Sequence, residues 1–165
     1  MHKYLGNYKF DFDLNLDELK YHSHKIGKHN DTDSQTAKEA GYDNNTEIHK
    51  VWGEDYPTEL LDYVNTFPID WVNTNFQKQK PGFLIPPHRD SFDMIKKTYD
   101  KKPYRILVCM SDWVFGQVIM VDESILTNWK KGDAWIWDSE AIHMSANGSL
   151  EDKLTMIISG FYEDN

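Results

Sequence analysis

The sequence predicts a mainly β fold, an antiparallel sandwich, jelly roll or barrel, and three observations carry that prediction. From Trp71 onward the chain is dense in Trp, Ile, Val and Phe at strand-like spacing. Turn and bulge formers punctuate this region at short intervals. The connections left between apolar segments are too short for the crossovers that parallel strands require. A double-stranded β-helix accommodates the resulting count of about eight short strands.

In chain order, Phe10-Asp11-Phe12-Asp13-Leu14-Asn15-Leu16 alternates apolar and polar residues without a break, the period expected of a half-buried strand. Residues 22 to 50 carry few large apolar side chains and many His, Asn, Asp, Lys and Thr, and are expected to form a long loop or lid. A helix follows, with Asp55 as its cap, Pro57 near its first turn, and Leu60, Leu61, Val64 and Phe67 as its buried stripe. The strand candidates are Trp71 to Lys80, Leu84 to Asp90, Tyr104 to Asp112, Gln117 to Val121, a short piece near Ile125, Asp133 to Asp138, Ile142 to Asn147, and Lys153 to Phe161. Pro81-Gly82, Gly116, Lys131-Gly132 and Asn147-Gly148 stand between them as turns or bulges. The expected organisation is one domain over 1–165, with an extension, loop and helix in 1–70 and the β core in 71–161.

A chain of 165 residues with 39% hydrophobic and 14% aromatic content can bury one core, and a second domain is not expected. The net charge of -9 repels phosphate backbones, so a duplex-binding role is disfavoured. No apolar run is long enough to cross a bilayer, and the start lacks the pattern of a secretory signal. A soluble, cytoplasmic protein is expected. The single Cys109, in the apolar run Ile106 to Met110, is expected to be a buried thiol. Asn44-Asn45-Thr46 and Asn147-Gly148-Ser149 match the glycosylation pattern and are taken as polar turns. Trp113, Trp129, Trp135 and Trp137 are expected to fill the core or cap the barrel, and Trp52 and Tyr56 to serve in a lid.

The candidate chemistry lies in the β region. Residues i and i+2 of an extended segment point to the same side, so His88 and Asp90 can converge on one point while Arg89 faces away. His143, on a different predicted strand after Trp135-Ile136-Trp137-Asp138, is the best third ligand. Two imidazoles and one carboxylate on one face of an octahedral ion make the facial arrangement of non-haem iron(II) oxygenases, with positions left open for co-substrate and oxygen. Asp112 and Asp138 could orient a ligating histidine or could belong to turns. His22, His24, His29 and His49 lie in the polar first third and are expected to be solvated.

The segment Gln77-Lys78-Gln79-Lys80-Pro81-Gly82-Phe83-Leu84-Ile85-Pro86-Pro87-His88-Arg89-Asp90 resembles the strand, Pro-Gly turn and proximal metal motif of the 2-oxoglutarate and iron(II)-dependent oxygenase superfamily. Trp129 to Asp138, continued through His143, Asn147, Ser149 and Lys153, resembles the distal half, most closely in the aspartyl/asparaginyl β-hydroxylase-like branch. The resemblance spans roughly residues 71 to 161. It implies a double-stranded β-helix (jelly roll, cupin-like) with Fe(II) between two sheets, held by His88, Asp90 and His143. It also implies 2-oxoglutarate and O2 as co-substrates, and hydroxylation of a C–H bond coupled to release of succinate and CO2. Lys153 stands where the family places the basic residue that holds the far carboxylate of 2-oxoglutarate, usually an arginine. A lysine supplies the charge without the planar two-point fork. Arg105 matches a second arginine that contacts the co-substrate near the metal, and Gln77 a polar residue that helps bind the far carboxylate. The branch can lack the carboxylate ligand, whereas this chain has Asp90.

Two other classes remain open at this level: a cupin-like metal enzyme that does not use 2-oxoglutarate, and a non-enzymatic ligand-binding jelly roll. The substrate could be a free amino acid, a peptide side chain or another small metabolite, and the sequence leaves the oligomeric state open.

Overall fold

The structure, a computed structural model, describes residues 2–12, 14–25, 47–90 and 92–162. Its framework is eight antiparallel strands in the order of a double-stranded β-helix. They are β4 (Asp70–Gln79), β5 (Leu84–His88), β6 (Tyr104–Cys109), β7 (Gln117–Val121), β8 (Ser124–Leu126), β9 (Asp133–Asp138), β10 (His143–Asn147) and β11 (Lys153–Phe161). Three of them, β7, β9 and β11, keep the bounds expected from the sequence, and the other five differ only at their ends.

Successive strands from β4 to β11 alternate between two sheets, except that β7 and β8 form a hairpin within one. One is ordered β5-β10-β7-β8; in the other, β9-β6-β11-β4 is extended by β1 (His2–Asn7) on one side and by β3 (Glu47–Trp52) and β2 (His22–Lys25) on the other. Alternation of side chains across each strand then makes two separate cores. On β11, Met156 and Ile158 face outward, joining Phe76, Ile106, Val108, Ala134 and Ile136 beneath the helix α1 (Thr58–Val64). Ile157 faces inward, joining Leu107, Cys109, Ile119, Val121, Trp129 and Trp137 between the sheets. Cys109 is a free, buried thiol, and burial pushes its pKa up. No helix among the described residues is long and apolar enough to cross a membrane.

Several elements of the first 100 residues differ from expectation. The described residues of 10–16 form no strand; Phe10, Phe12, Leu14 and Leu16 lie half-buried on the outer core, while Asp11 and Asn15 are exposed. The two-residue period there marks an extended segment with one covered face, not one paired in a ladder. The amino-terminal strand is instead β1, which pairs with β9. The expected loop over 22–50 is bounded by the paired edge strands β2 and β3, and its stretch 26–46, with His29 and Asn44-Asn45-Thr46, lies outside the described residues. Asp55 closes a short 3-10 turn and does not cap α1, whose N-cap position is Pro57 without a side-chain bond. The helix buries Leu60, Tyr63 and Val64, with Phe67 following and Leu61 only partly covered. Tyr56 belongs to the core, 7% exposed and bonded to Thr74, not to a lid. The helix α2 (Asp93–Thr98) has no sequence signal long enough to betray it.

Two glycines hold tight approaches. Gly132 turns the chain into β9 at φ +92°, where a Cβ would sit 2.6 Å from the Tyr8 carbonyl oxygen. At Gly160, where β11 shifts register against β4, a Cβ would meet the Asp70 carbonyl oxygen at 2.1 Å and Trp71 Cα at 2.6 Å. Both clashing partners are backbone, so neither can swing aside. Gly160→Ala is therefore expected to destabilise the protein by about 1–3 kcal/mol. Thermal unfolding followed by circular dichroism checks this, and an unchanged Tm would show that the β4–β11 approach is looser than described.

Candidate metal centre

The site begins with strand register. β5 and β10 pair so that His88 and His143 stand directly opposite each other, and their ring centroids lie 4.3 Å apart. Asp90 follows two residues beyond His88, past the end of β5, and turns back onto both rings. Its Oδ2 is 3.4 Å from His143 Nε2 and its Oδ1 is 3.9 Å from His88 Nε2. One potential ligand atom from each residue lies within 4.8 Å of the others, the only such group of three among the described residues. Asp90 is 8% exposed and His143 8% exposed, so the cluster sits inside the barrel wall.

The polar atoms of the cluster suit a divalent cation. His88 Nδ1 lies 2.8 Å from the Pro86 carbonyl oxygen, and His143 Nδ1 lies 3.2 Å from that of Ala141. Donation from both Nδ1 atoms leaves each Nε2 lone pair pointing at Asp90, the tautomer a metal requires. These carbonyls take the orienting role that Asp112 and Asp138 were candidates for. Asp112 accepts from the Lys131 amide, and Asp138 from Lys102 and the Glu140 amide. Among the described residues the buried Asp90 Oδ2 has no hydrogen-bond partner, an arrangement that costs free energy unless a cation meets it.

Charge within the cluster points the same way. Burial would raise the Asp90 carboxyl, but Arg105, His143, His88 and Lys50 outweigh it and hold the pKa below the ordinary carboxylate value. Burial pushes His143 down to about 4, against the opposing pull of Asp90, so its imidazole is neutral near pH 7. The residues present thus include an ionised carboxylate and a neutral imidazole, with the His88 ring beside them.

The co-substrate candidates divide. Lys153 opens β11 on the inner face, 1% exposed, and donates to the Val118 carbonyl at 3.0 Å, the Ala146 carbonyl at 3.2 Å and the Ser145 hydroxyl. Among the described residues no carboxylate is paired with this ammonium, and burial lowers its pKa to about 7. Arg105, also on the inner face, donates through Nη1 to Asp90 Oδ1. Gln77 lies opposite Thr155, and its amide donates to Asn75 Oδ1 at 2.8 Å. The residue opposite Lys153 is Gln79, which exchanges hydrogen bonds with Ser145. Ser145 and Gln79 were not singled out in the sequence. Their signal was their spacing, two residues after His143 and two after Gln77, which places each pair on one face.

Of the remaining histidines, His22 is exposed, whereas His49 is half-buried, within 3.0 Å of Glu47 and packed edge-on near Phe83. Trp129 and Trp137 fill the inner core, and the Trp137 ring lies 5.1 Å from that of His143.

No family model matches the chain, and no curated protein matches it. Among solved structures, an oxidoreductase of the 2OG-Fe(II) oxygenase family from Burkholderia pseudomallei aligns with a TM-score of 0.57 at 8% identity, over 87% of this chain and 74% of that one. A Pseudomonas putida prolyl-4-hydroxylase aligns with a TM-score of 0.52 at 12% identity, over 71% of this chain and 73% of that one. A cupin 2 conserved barrel domain protein from Salinispora arenicola gives 0.43 at 15% identity, over 72% and 77%. At 8% and 12% identity the likeness to the first two is one of fold, the double-stranded β-helix.

If the cluster is a metal site, His88→Ala, Asp90→Ala and His143→Ala should each abolish stoichiometric binding of Fe(II) or Mn(II), whereas His22→Ala and His49→Ala should retain it. Metal content after dialysis, measured beside a circular dichroism spectrum, decides the matter. A folded His143→Ala protein with full metal content would rule this cluster out.

Proposed function

We propose that this chain is a non-haem iron(II), 2-oxoglutarate-dependent oxygenase that hydroxylates a C–H bond of a small-molecule or peptide substrate. The observation that carries the reading is the presence in one interior of the His88–Asp90–His143 cluster, whose histidines stand on the smaller sheet, and of the buried ammonium of Lys153 on the larger one, paired with no carboxylate among the described residues. Ser145, two residues from His143, touches Lys153, so the two features are joined through a single strand. Sequence motifs over residues 71 to 161 and the shared fold support it. The β-hydroxylase-like branch is the nearest in motif, and its substrate is not carried over.

The iron and 2-oxoglutarate together would supply an oxidant from O2, with succinate and CO2 as the co-products. The protein's own part is to bind and to orient. His88, Asp90 and His143 would hold the ion from one side, leaving the opposite side for reactants. Lys153, with Ser145 and Gln79 beside it, would receive the far carboxylate of the co-substrate, its ammonium exchanging hydrogen bonds with backbone carbonyls for an ion pair. The inner core residues Leu107, Ile119 and Ile157 would help to keep water from the interior between the sheets. Gln77 and Arg105 stand on the same face as further polar groups.

The three hydrogen bonds that already occupy Lys153 favour one competing reading, a cupin-like metal enzyme without 2-oxoglutarate in which this lysine ties β7, β10 and β11 together. The iron-loaded protein in oxygen separates them: slow formation of succinate from 2-oxoglutarate without added substrate supports the oxygenase, and no binding of 2-oxoglutarate favours the cupin-like enzyme. A screen of amino acids and peptides for stimulation of succinate formation then identifies the substrate class.

Two consequences follow for Lys153. Losing one partner of a desolvated charge pair costs roughly 3 to 5 kcal/mol, so Lys153→Ala should weaken 2-oxoglutarate binding by on the order of a hundredfold or more while leaving metal affinity nearly unchanged. The pH dependence also has a definite sign. With its pKa lowered to about 7, the free site loses its proton above that pH, whereas the site holding a dianion keeps it. Affinity for 2-oxoglutarate should therefore fall as pH rises from 7 to 9, by up to about tenfold per unit. Lys153→Arg, which does not titrate in this range, should flatten the profile. Calorimetric titration across pH provides the measurement; a flat wild-type profile would place the carboxylate elsewhere.

A further inference from the structure

Asp90 lies beyond the last residue of β5, so no strand ladder fixes it. What it touches instead is Arg105. This arginine stands on β6, flanked in register by Ser159 of β11 and Trp137 of β9 on the face turned toward the second sheet. Its Nη1 donates to Asp90 Oδ1, and its guanidinium lies over the Phe92 ring, with Cζ 5.2 Å from the centroid. Phe92 has left-handed backbone angles, φ 49° and ψ 22°, which an aromatic residue adopts only when its surroundings enforce them. It is held there by packing with Ile95 and Phe161.

One guanidinium thus grips the segment at two places, the carboxylate of Asp90 and the ring two residues later. The consequence falls on the other carboxylate oxygen. A carboxylate turns about its last torsion in a broad, nearly two-fold well, so its orientation is set by what it touches. With Oδ1 taken by Arg105, Oδ2 is left buried, without a hydrogen-bond partner among the described residues, and 3.4 Å from His143 Nε2.

We propose that Arg105 is a positioning residue for the metal: it clamps Asp90 through Oδ1 and braces the chain at Phe92, so that Oδ2 alone is presented to the ion together with the two histidines. This rests on the metal-centre reading. It gives Arg105 a role different from the co-substrate contact that the sequence resemblance implies, because the contact observed is with the carboxylate of the metal cluster. The arrangement also limits Asp90 to one ligand oxygen, since the second is occupied by a fixed cation.

The test is calorimetric titration of Mn(II) without 2-oxoglutarate into wild type, Arg105→Met, Arg105→Lys, Asp90→Asn and the Arg105→Met/Asp90→Asn double variant. Groups that orient a ligand typically contribute ten- to a hundredfold in metal affinity, so Arg105→Met should weaken Mn(II) by about that factor, and Arg105→Lys should recover part of the loss. In the Asp90→Asn background the same change should cost less than about twofold, because the clamp then has nothing charged to hold. With Mn(II) saturating, the affinity for 2-oxoglutarate should move by less than about threefold. Unchanged Mn(II) affinity in Arg105→Met, with 2-oxoglutarate binding lost, would overturn the inference and return Arg105 to the co-substrate. An equal loss of Mn(II) affinity with and without the Asp90 carboxylate would overturn it in favour of a general structural role. Should Arg105→Met not fold, Phe92→Leu keeps the arginine and removes only the ring beneath it. A severalfold weaker Mn(II) site in that variant supports the brace, and an unaltered one refutes it. A wild-type protein that takes up no Mn(II) would sink the metal-centre reading itself, an outcome distinct from all of these.

Discussion

The antiparallel pairing of β5 with β10 sets the arrangement on which everything else depends. It fixes His143 across from His88, and the register of a strand admits no small error, because a slip of one residue turns every side chain to the opposite face. That register is held by the inner core. Ile119 and Val121 of β7 pair with Ser145 and His143 of β10, and both are buried against Leu107, Ile157 and Trp137 of the facing sheet. The apolar residues between the sheets therefore do two jobs, contributing burial free energy and locking the position of the polar ones.

The interior is unusual in how much polarity it carries. Asp90, His143, Lys153, Gln79, Ser145 and Thr155 lie between the sheets or at their margin, and burying such groups costs several kcal/mol unless each finds partners. Most do: Gln79 bonds Ser145 and the Phe83 carbonyl, and Asn147 bonds the Gln79 and Glu151 carbonyls at the turn that leads into Lys153. The incomplete ones are informative. Among the described residues Asp90 keeps one oxygen unmatched and Lys153 keeps its amine without a carboxylate, the first beyond the end of a strand of the smaller sheet and the second on the larger sheet. An ion and a dianion are the chemistry that would complete them.

The outer face of the larger sheet has a different task. There α1 and the extended segment around Phe10, Phe12 and Leu14 cover Phe76, Ile106, Val108 and Met156, and the Tyr63 hydroxyl donates to the Tyr8 carbonyl at 2.6 Å. The segment around Phe10, Phe12 and Leu14 and the helix α1 therefore back the barrel wall that carries Arg105 and Lys153, and β3 places Lys50 on the inner side of that wall, opposite Gln77. Support and site share the same strands, with alternate residues assigned to each.

What the sequence determined by itself was local. The strands β4 to β11, their turns at Pro81-Gly82 and Lys131-Gly132, the convergence of His88 with Asp90, and a buried Cys109 all follow from residue periods and from the conformational limits of Gly and Pro. The elements it missed, β1, β2, β3 and α2, are short or edge-lying and carry no apolar stripe, and the three strands among them exist through pairing with other strands. The alternation over Phe10 to Leu16 was real but ambiguous, because a period of two reports which face is covered and not what covers it. Tertiary structure alone decided the partners: His143 opposite His88, Gln79 and not Gln77 opposite Lys153, Arg105 on Asp90, and backbone carbonyls in place of Asp112 and Asp138 behind the histidines. Each of these is a matter of register between strands far apart in sequence, and register is set by the summed packing of both cores, which no local pattern contains.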